Sequence, residues 1–368
     1  MFKYLQREPT EEKMGIPDPE AIKQFQLLME EVDEPLKNTF ENVHQGYPDE
    51  TFVRFLKARD WNVGKAHKMV RLSSFLNKCN KFVIYAMLVD CLQWRIDSEI
   101  DNILAKPIIP TDLYRAVRDS HLLGLSGYSK EGLPVIAVGV GLSTYDKASV
   151  NYYVQSHIQM NEYRDRVVLP SATKKYGKYI GTCVKVLDMT GLRLSALNHI
   201  KLLTVISTID DLNYPEKTDT YYIVNAPYIF SACWKVVKPL LQERTRKKIQ
   251  VLQGCGKDEL LKIMDYSSLP HFCRKQGSGS SRNSENGHTS NCFSLDHAYH
   301  QELYNFVKQH AMRMECVAPI KQGSFHVNFP DPNPDDAEIA KTIEAEFHKY
   351  GNHNGLTKSL SGLRLNGS

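Results

Sequence analysis

Three groups of residues carry types and spacings that could do chemistry. Gly254-Cys-Gly256-Lys-Asp-Glu259 follows a β-rich run and opens a helical one, the setting in which a glycine turn cradles a dinucleotide pyrophosphate. Glu259 stands at the third glycine position, where a carboxylate repels pyrophosphate, so the segment reads as a strand-to-helix turn. Cys292, His297 and His300 are of metal-ligand type, yet His at i and i+3 on a surface helix usually makes a solvated polar face, which is the reading taken here. The third group, Lys235–Lys248, holds six basic residues against one acid and directly follows Pro227-Tyr-Ile-Phe-Ser-Ala-Cys-Trp-Lys235. An apolar segment with Trp beside cations suits an anionic membrane surface, with the ring in the interface and the cations on acidic headgroups. The same pattern also describes a core helix with a solvated basic end. No Walker A sequence, GxSxG elbow, paired carboxylates or Ser/His/Asp set stands out, so nothing points positively to catalysis.

The elements that must position these residues change character along the chain. Residues 1–47 read as an acidic, partly helical extension; the first 48 residues hold ten acids against five Lys/Arg. Ile22, Phe25, Leu28 and Met29 have helical spacing, and a stronger helix starts at Pro48 with Phe52, Val53, Phe55 and Leu56 on one arc. A further helical run reaches Trp94-Arg95, making residues 48–106 a helical lobe. Beyond Pro107, β-rich runs (133–140, 183–189, 221–226, 248–252) alternate with helical segments (149–168, 195–213, 230–241, 258–264) up to residue 275. That alternation predicts an α/β layer fold with a largely parallel sheet. Residues 276–290 contain five serines and three glycines and read as a flexible linker. Residues 291–368 hold a short amphipathic helix marked by Tyr299, Leu303, Phe306, Val307 and His310, then a tail with one helical run at 335–350.

Composition narrows the class. The 368 residues are 42% hydrophobic and 24% charged, which supports one large or two modest cored domains and excludes a disordered, collagen-like or disulfide-scaffold chain. A formal charge of +4 gives no support to a nucleic-acid binder. The eight cysteines form no CxxC pair and fall mostly in apolar runs, as reduced core thiols do. The first ten residues lack an apolar stretch, and no run reaches the ~20 apolar residues of a membrane span, so a cytoplasmic protein is expected.

Phe52-Val-Arg-Phe-Leu-Lys-Ala-Arg59-Asp-Trp-Asn-Val63, Trp94-Arg95, Gly132-Leu-Pro-Val135, Val186-Leu-Asp-Met-Thr-Gly191, Asn213-Tyr-Pro-Glu216, Tyr222-Ile-Val-Asn-Ala-Pro227 and Lys238-Pro239 follow one another in the order of the CRAL-TRIO lipid-transfer family. Over Pro48 to Arg274 the chain resembles the fungal and plant phosphatidylinositol transfer branch. The resemblance implies a helical N-terminal lobe packed on a mixed, largely parallel-sheet lobe (residues 107–275). The sheet would floor a deep apolar pocket for one phospholipid, closed by a helical gate. It implies headgroup-binding roles for Arg59, Glu216, Lys217 and Lys238. A gate and membrane-facing surface would comprise Phe230, Trp234, Lys235, Arg244, Arg246, Lys247 and Lys248. At the positions where relatives hold phosphatidylcholine with phenols and hydroxyls, this chain has Leu125, Ile136, Asn161, Cys183 and Lys185, so the second ligand is expected to be altered or lost.

Arg59 and Trp94 are 35 positions apart, further than the resemblance leads one to expect. The extra piece reads as Val70–Met87, whose eighteen residues would span about 27 Å as helix and expose Phe75, Phe82, Ile84 and Tyr85. A retained in-frame intron or mispredicted exon is the favoured origin over a true insertion. The expected function is non-enzymatic phosphatidylinositol transfer with the phospholipid as ligand, no metal or other cofactor and no nucleic acid. The protein would dock transiently on anionic Golgi or plasma membrane, with phosphoinositide kinases or trafficking proteins as partners. A lipid-sensing or lipid-presenting module without net transfer is the alternative, and a nucleotide-binding α/β enzyme the third reading.

Overall fold

The computed structural model describes residues 19–58, 79–274 and 291–313. Its first part is helical: α1 (Pro19–Glu30), α2 (Glu34–His44), α3 (Pro48–Lys57) and α4 (Cys79–Asp97). In α3, Pro48 presets the first turn, Asp49 and Glu50 sit at its positive end, and Arg54 and Lys57 at its negative end. Phe52, Phe55 and Leu56 fall on one face and are buried with Phe25 of α1, Phe40 of α2, and Leu88 and Leu92 of α4. The Phe52 ring lies 5.4 Å from Phe25 and 5.2 Å from Phe40. Burying each such ring is worth about 2–3 kcal/mol. The helices of residues 19–44 thus share the core of the lobe expected to begin at residue 48, while their acids, Glu20, Glu30, Glu34 and Glu41, stay exposed.

Helix α4 runs unbroken across Met87-Leu88, the expected end of the extra segment. Met87 is buried in the lobe core and Tyr85 packs against it, with its hydroxyl 3.5 Å from the Leu28 carbonyl oxygen. Tyr85 therefore does not protrude as expected, because α4 lies alongside α1. Phe75, Arg59, the linker 276–290 and the tail lie outside the described residues, as do the side chains of Phe82 and Ile84.

The second part comprises α5 (Thr111–Ser120), β1 (Leu123–Tyr128), β2 (Pro134–Gly139), α6 (Val150–Tyr163), α7 (Leu169–Tyr176), β3 (Cys183–Asp188), α8 (Ile200–Asn213), β4 (Thr218–Val224), α9 (Phe230–Val237), α10 (Glu243–Lys247), β5 (Ile249–Val251), α11 (Lys257–Ile263), α12 (His271–Arg274) and α13 (Ala298–Arg313). One sheet has the order β1-β2-β3-β4-β5; β1 and β2 are antiparallel and the remaining neighbours parallel. This is the mixed, largely parallel sheet that the strand and helix alternation predicts.

Alternate residues of each strand serve opposite faces. Val135, Ala137, Val184, Val186 and Val224 pack under α11 and α12. On the other face Leu187 and Ile223 pack against Phe230, Ala232 and Cys233 of α9, while α6, α8 and α13 build the neighbouring core around Tyr153, Ile158, Val205 and Leu303. The segment after the linker returns across β1 so closely that a Cβ on Gly124 would lie 1.8 Å from the Cys292 carbonyl oxygen. Gly256, at φ +66, ends a turn into α11, and Glu259 pairs with Lys262 at 2.7 Å, which is the strand-to-helix turn expected there.

Candidate ligand-binding site

Helices α6 and α7 form one rod joined by a π-helical turn, Arg164–Val168. Pro170 in the first turn of α7 has no N–H to return to the preceding turn, and a widened turn accommodates that. The widening turns Arg164, Asp165 and Arg166 inward. Arg166 reaches Glu162 at 2.7 Å and Asp101 at 3.2 Å. Arg95 of α4 holds the same two carboxylates at 2.8 and 2.6 Å, and the Tyr214 hydroxyl donates to Glu162 at 2.7 Å. Burial opposes ionisation of Glu162, but Arg95 outweighs it and holds the carboxyl below its ordinary range. Two guanidiniums and two carboxylates thereby fix the helical lobe to α6.

A second buried cluster adjoins it. Asp165 accepts from Arg164 Nε at 2.7 Å and from Lys217 Nζ at 3.1 Å, and Arg54 of α3 stands nearby. Arg54, Arg164 and Lys217 are all buried. Burial, then the Arg54 and Arg164 charges, push the Lys217 ammonium down to about 7 against the pull of Asp165. Burial opposes the Asp165 charge, yet Arg164 and Lys217 hold it well below the usual carboxylate range.

Lys217 lines two cavities. The first is walled by Arg164, Lys185, Asp210, Asp211, Glu216, Lys217, Tyr221, Arg244 and Lys248. Glu216 sits in a left-handed backbone conformation (φ +57), a strain of roughly 1 kcal/mol or more that aims its carboxylate at Lys248 (2.6 Å) and Arg244 (3.3 Å). Lys185 is in register with Tyr221 across β3 and β4, with its ammonium 5.6 Å from that ring and 3.9 Å from Asp210. Asp210 also takes His157 at 2.7 Å and Asn161 at 2.8 Å; burial opposes its charge, but His157 and Lys185 keep it well below the ordinary range. The second cavity lies between α3 and α7, with Arg54, Asp165, Tyr179 and Lys217 in its walls.

Of the residues expected to bind a headgroup, Glu216 and Lys217 share the first cavity, Lys238 is exposed and does not line it, and Arg59 lies outside the described residues. Among the residues expected on the membrane face, Lys235 and Lys247 are exposed, and Trp234 and Arg246 half-buried. Phe230 is buried, stacked on Trp234 at 5.9 Å, because α9 is seated on the sheet. Arg244 and Lys248, expected on the membrane face, pair with Glu216, and Arg244 also meets Asp211 at 3.6 Å. The first cavity is walled largely by polar side chains and the second by a mixture that includes Val43, Leu169 and Ile180, whereas a deep apolar container was expected; α9, packed on Leu187 and Ile223, covers the apolar strand residues of its face of the sheet. His300 contacts Arg118 at 2.9 Å and the Cys292 carbonyl at 2.9 Å, and burial with Arg118 lowers it to about 3. Its two ring nitrogens are therefore occupied, and among the described residues no group of His, Cys, Asp and Glu is arranged to hold a metal.

Residues 118–273 match the CRAL/TRIO domain, and residues 21–72 its N-terminal domain. The chain belongs to the CRAL/TRIO family. An Arabidopsis thaliana protein named phosphatidylinositol/phosphatidylcholine transfer protein SFH7 is 27% identical over 69% of this chain and 42% of its own length. The Arabidopsis protein of the same description named SFH11 is 28% identical over 65% of this chain and 62% of itself. The SEC14 cytosolic factor of Eremothecium gossypii is 25% identical over 60% of this chain and 67% of itself. The chain thus spans less than two thirds of the length of both Arabidopsis relatives. The crystal structure of Sfh5 superposes with a TM-score of 0.51 at 16% identity, over 80% of this chain and 99% of that one, which shows the shared fold.

Within this CRAL/TRIO chain, sequence reasoning missed Arg164, Asp165 and Asp210 as site residues. Their signal is faint: a charged Arg164-Asp-Arg166 triplet inside a helix whose neighbouring positions are buried, and Asp210-Asp211 just before Asn213-Tyr-Pro.

Proposed function

We propose that this protein is a phosphatidylinositol carrier that takes one phospholipid from a membrane and releases it at another, with no covalent step. The observation that carries the reading is the first cavity. It combines five cations (Arg164, Lys185, Lys217, Arg244, Lys248) with three carboxylates (Asp210, Asp211, Glu216). Fixed cations suit a phosphodiester, and carboxylates accept from ring hydroxyls. A choline headgroup offers no hydroxyls and would face Lys185, so inositol lipid is favoured over choline lipid.

The acyl chains need an apolar container, each buried CH₂ being worth about 0.8 kcal/mol. Helix α9, seated on Leu187, Met189 and Ile223, is the element whose displacement would open one. Tyr228, 81% exposed just ahead of α9, and the exposed Lys235 and Lys238 suit transient contact with an anionic bilayer. Among the described residues no helix is long and apolar enough to cross a membrane. The relatives' names, which describe phosphatidylinositol and phosphatidylcholine transfer, support the same reading. Golgi or plasma membrane as the target, and kinases or trafficking proteins as recipients, extend the proposal.

The test is movement of labelled phosphatidylinositol between donor and acceptor vesicles by the purified full chain. Catalysed movement, clearly faster for inositol than for choline lipid, is expected. Tight lipid binding without exchange would replace the carrier by a lipid-presenting module, and equal rates for both lipids would refute the proposed selectivity.

A further inference from the structure

The parallel strands β2, β3 and β4 end on one row, with Gly139, Asp188 and Val224 in register. Asp188 closes β3, is 3% exposed, and joins the loops that leave all three strands. Its main-chain carbonyl accepts from the Gly141 N–H at 3.1 Å. Its Oδ1 accepts from the Thr190 N–H at 3.1 Å, the Thr190 hydroxyl at 2.7 Å and the Asn225 side-chain amide at 2.8 Å. Asn225 is where the chain leaves β4 on its way to α9. It sits in the left-handed region at φ +53, which asparagine tolerates better than most residues, and its main-chain N–H donates to the Gly254 carbonyl at 2.6 Å. A carboxylate acceptor makes the side-chain bond charge-assisted, and burial strengthens it. The other end of α9 is held less firmly. Past Val237 the chain makes one 3₁₀ turn, Lys238–Leu240, in which Pro239 has no N–H and the Leu241 N–H returns to the Lys238 carbonyl at 3.3 Å. Arg244 beyond it meets Glu216 at 3.3 Å and Asp211 at 3.6 Å.

We propose that Asp188 is a positioning residue for lipid exchange: through Asn225 it fixes the pivot of α9, so that α9 lifts from its Lys238 end. This rests on the reading of α9 as the element whose displacement opens the lipid container. A hinge needs a fixed residue beside a few that absorb the rotation. Asn225 is the fixed one, and residues 226–229, with Tyr228 81% exposed, are the segment that turns. The inner face of α9 meets the sheet through Phe230, Ala232 and Cys233, apolar contacts that carry no direction of their own. The direction of opening is therefore set by the hydrogen bonds at the two ends. Phe230, beside the pivot, stays near Ile223, while Lys238 travels furthest.

The test is site-resolved amide hydrogen exchange on the purified full chain without vesicles. In the wild type, Val237 and Lys238 should exchange faster than Ala232 and Cys233. Asn225→Gly keeps the left-handed backbone and deletes only the side-chain bond to Asp188. Exchange at Ala232 and Cys233 should then rise about tenfold or more, with Val186 of β3 and Leu260 of α11 unchanged. Thr190→Val removes a different bond to the same Asp188 oxygen and should leave α9 exchange within about twofold of the wild type. The proposal is overturned if the Lys238 end is the slower one in the wild type, or if Asn225→Gly leaves α9 unchanged. It is equally overturned if Thr190→Val raises α9 exchange as much, or if Val186 and Leu260 rise in step with α9, since Asp188 would then only hold the fold together. No lipid moves between membranes in this measurement, so the pivot and the carrier reading fail independently.

Discussion

Replacing Lys217 with Met should make the folded protein more stable at pH 6 while weakening anion binding. The ammonium titrates near 7 in the folded chain against an ordinary 10.5, which corresponds to about 5 kcal/mol against the charged form. Solvent reaching Lys217 through its two cavities reduces the gain, leaving about 1–2 kcal/mol. Asp165 keeps Arg164 at 2.7 Å, so it is not abandoned. Between pH 7 and 10.5 the unfolded lysine binds a proton that the folded one does not, so this group makes stability rise with pH across that window. Below pH 7 the full cost is present, and near pH 10.5 it has gone. The variant should therefore exceed the wild type at pH 6, with the difference shrinking toward pH 9 and above. Urea denaturation in phosphate-free buffer at pH 6, 7.5 and 9 measures it. A variant at least 1 kcal/mol less stable at pH 6, or a difference independent of pH, would refute the argument that burying the charged Lys217 costs stability.

Three further outcomes follow from the same geometry. Arg95→Leu leaves Glu162 and Asp101 to Arg166 alone and should cost about 3 kcal/mol in urea denaturation; a loss under 1 kcal/mol would mean the inter-lobe network is not what ties α4 to α6. Leu303→Ala should cost about 2–4 kcal/mol, since Leu303 of α13 is buried with Tyr153 and Val205; a cost below 0.5 kcal/mol would show that α13 is not part of the core. Lys185→Thr removes one of the five cations that line the first cavity and should raise choline-lipid transfer relative to inositol-lipid transfer in the vesicle assay. An unchanged ratio would remove Lys185 from the specificity argument.

What was legible in the sequence depended on whether a residue's role is set by its own segment. β2 to β4 announce themselves by apolar runs, since both faces of a central strand are covered. β1, Leu123-Gly-Leu-Ser-Gly-Tyr, has no such run, because its Gly124 is shaped by Cys292, a contact made from across the linker. Glu216 and Lys217 came from ordered motifs, but the partner of Lys217 is Asp165, about fifty residues upstream on a π-helical turn that no 3.6-residue period reports. The basic run 235–248 shows the limit most plainly. Its net charge was readable, yet net charge carries no direction. Glu216, held by left-handed backbone, draws Arg244 and Lys248 into the cavity, while Lys235, Lys238 and Lys247 stay exposed. A cation's orientation is decided by where its nearest buried carboxylate is fixed, so the same run supplies both a headgroup wall and a membrane-facing surface.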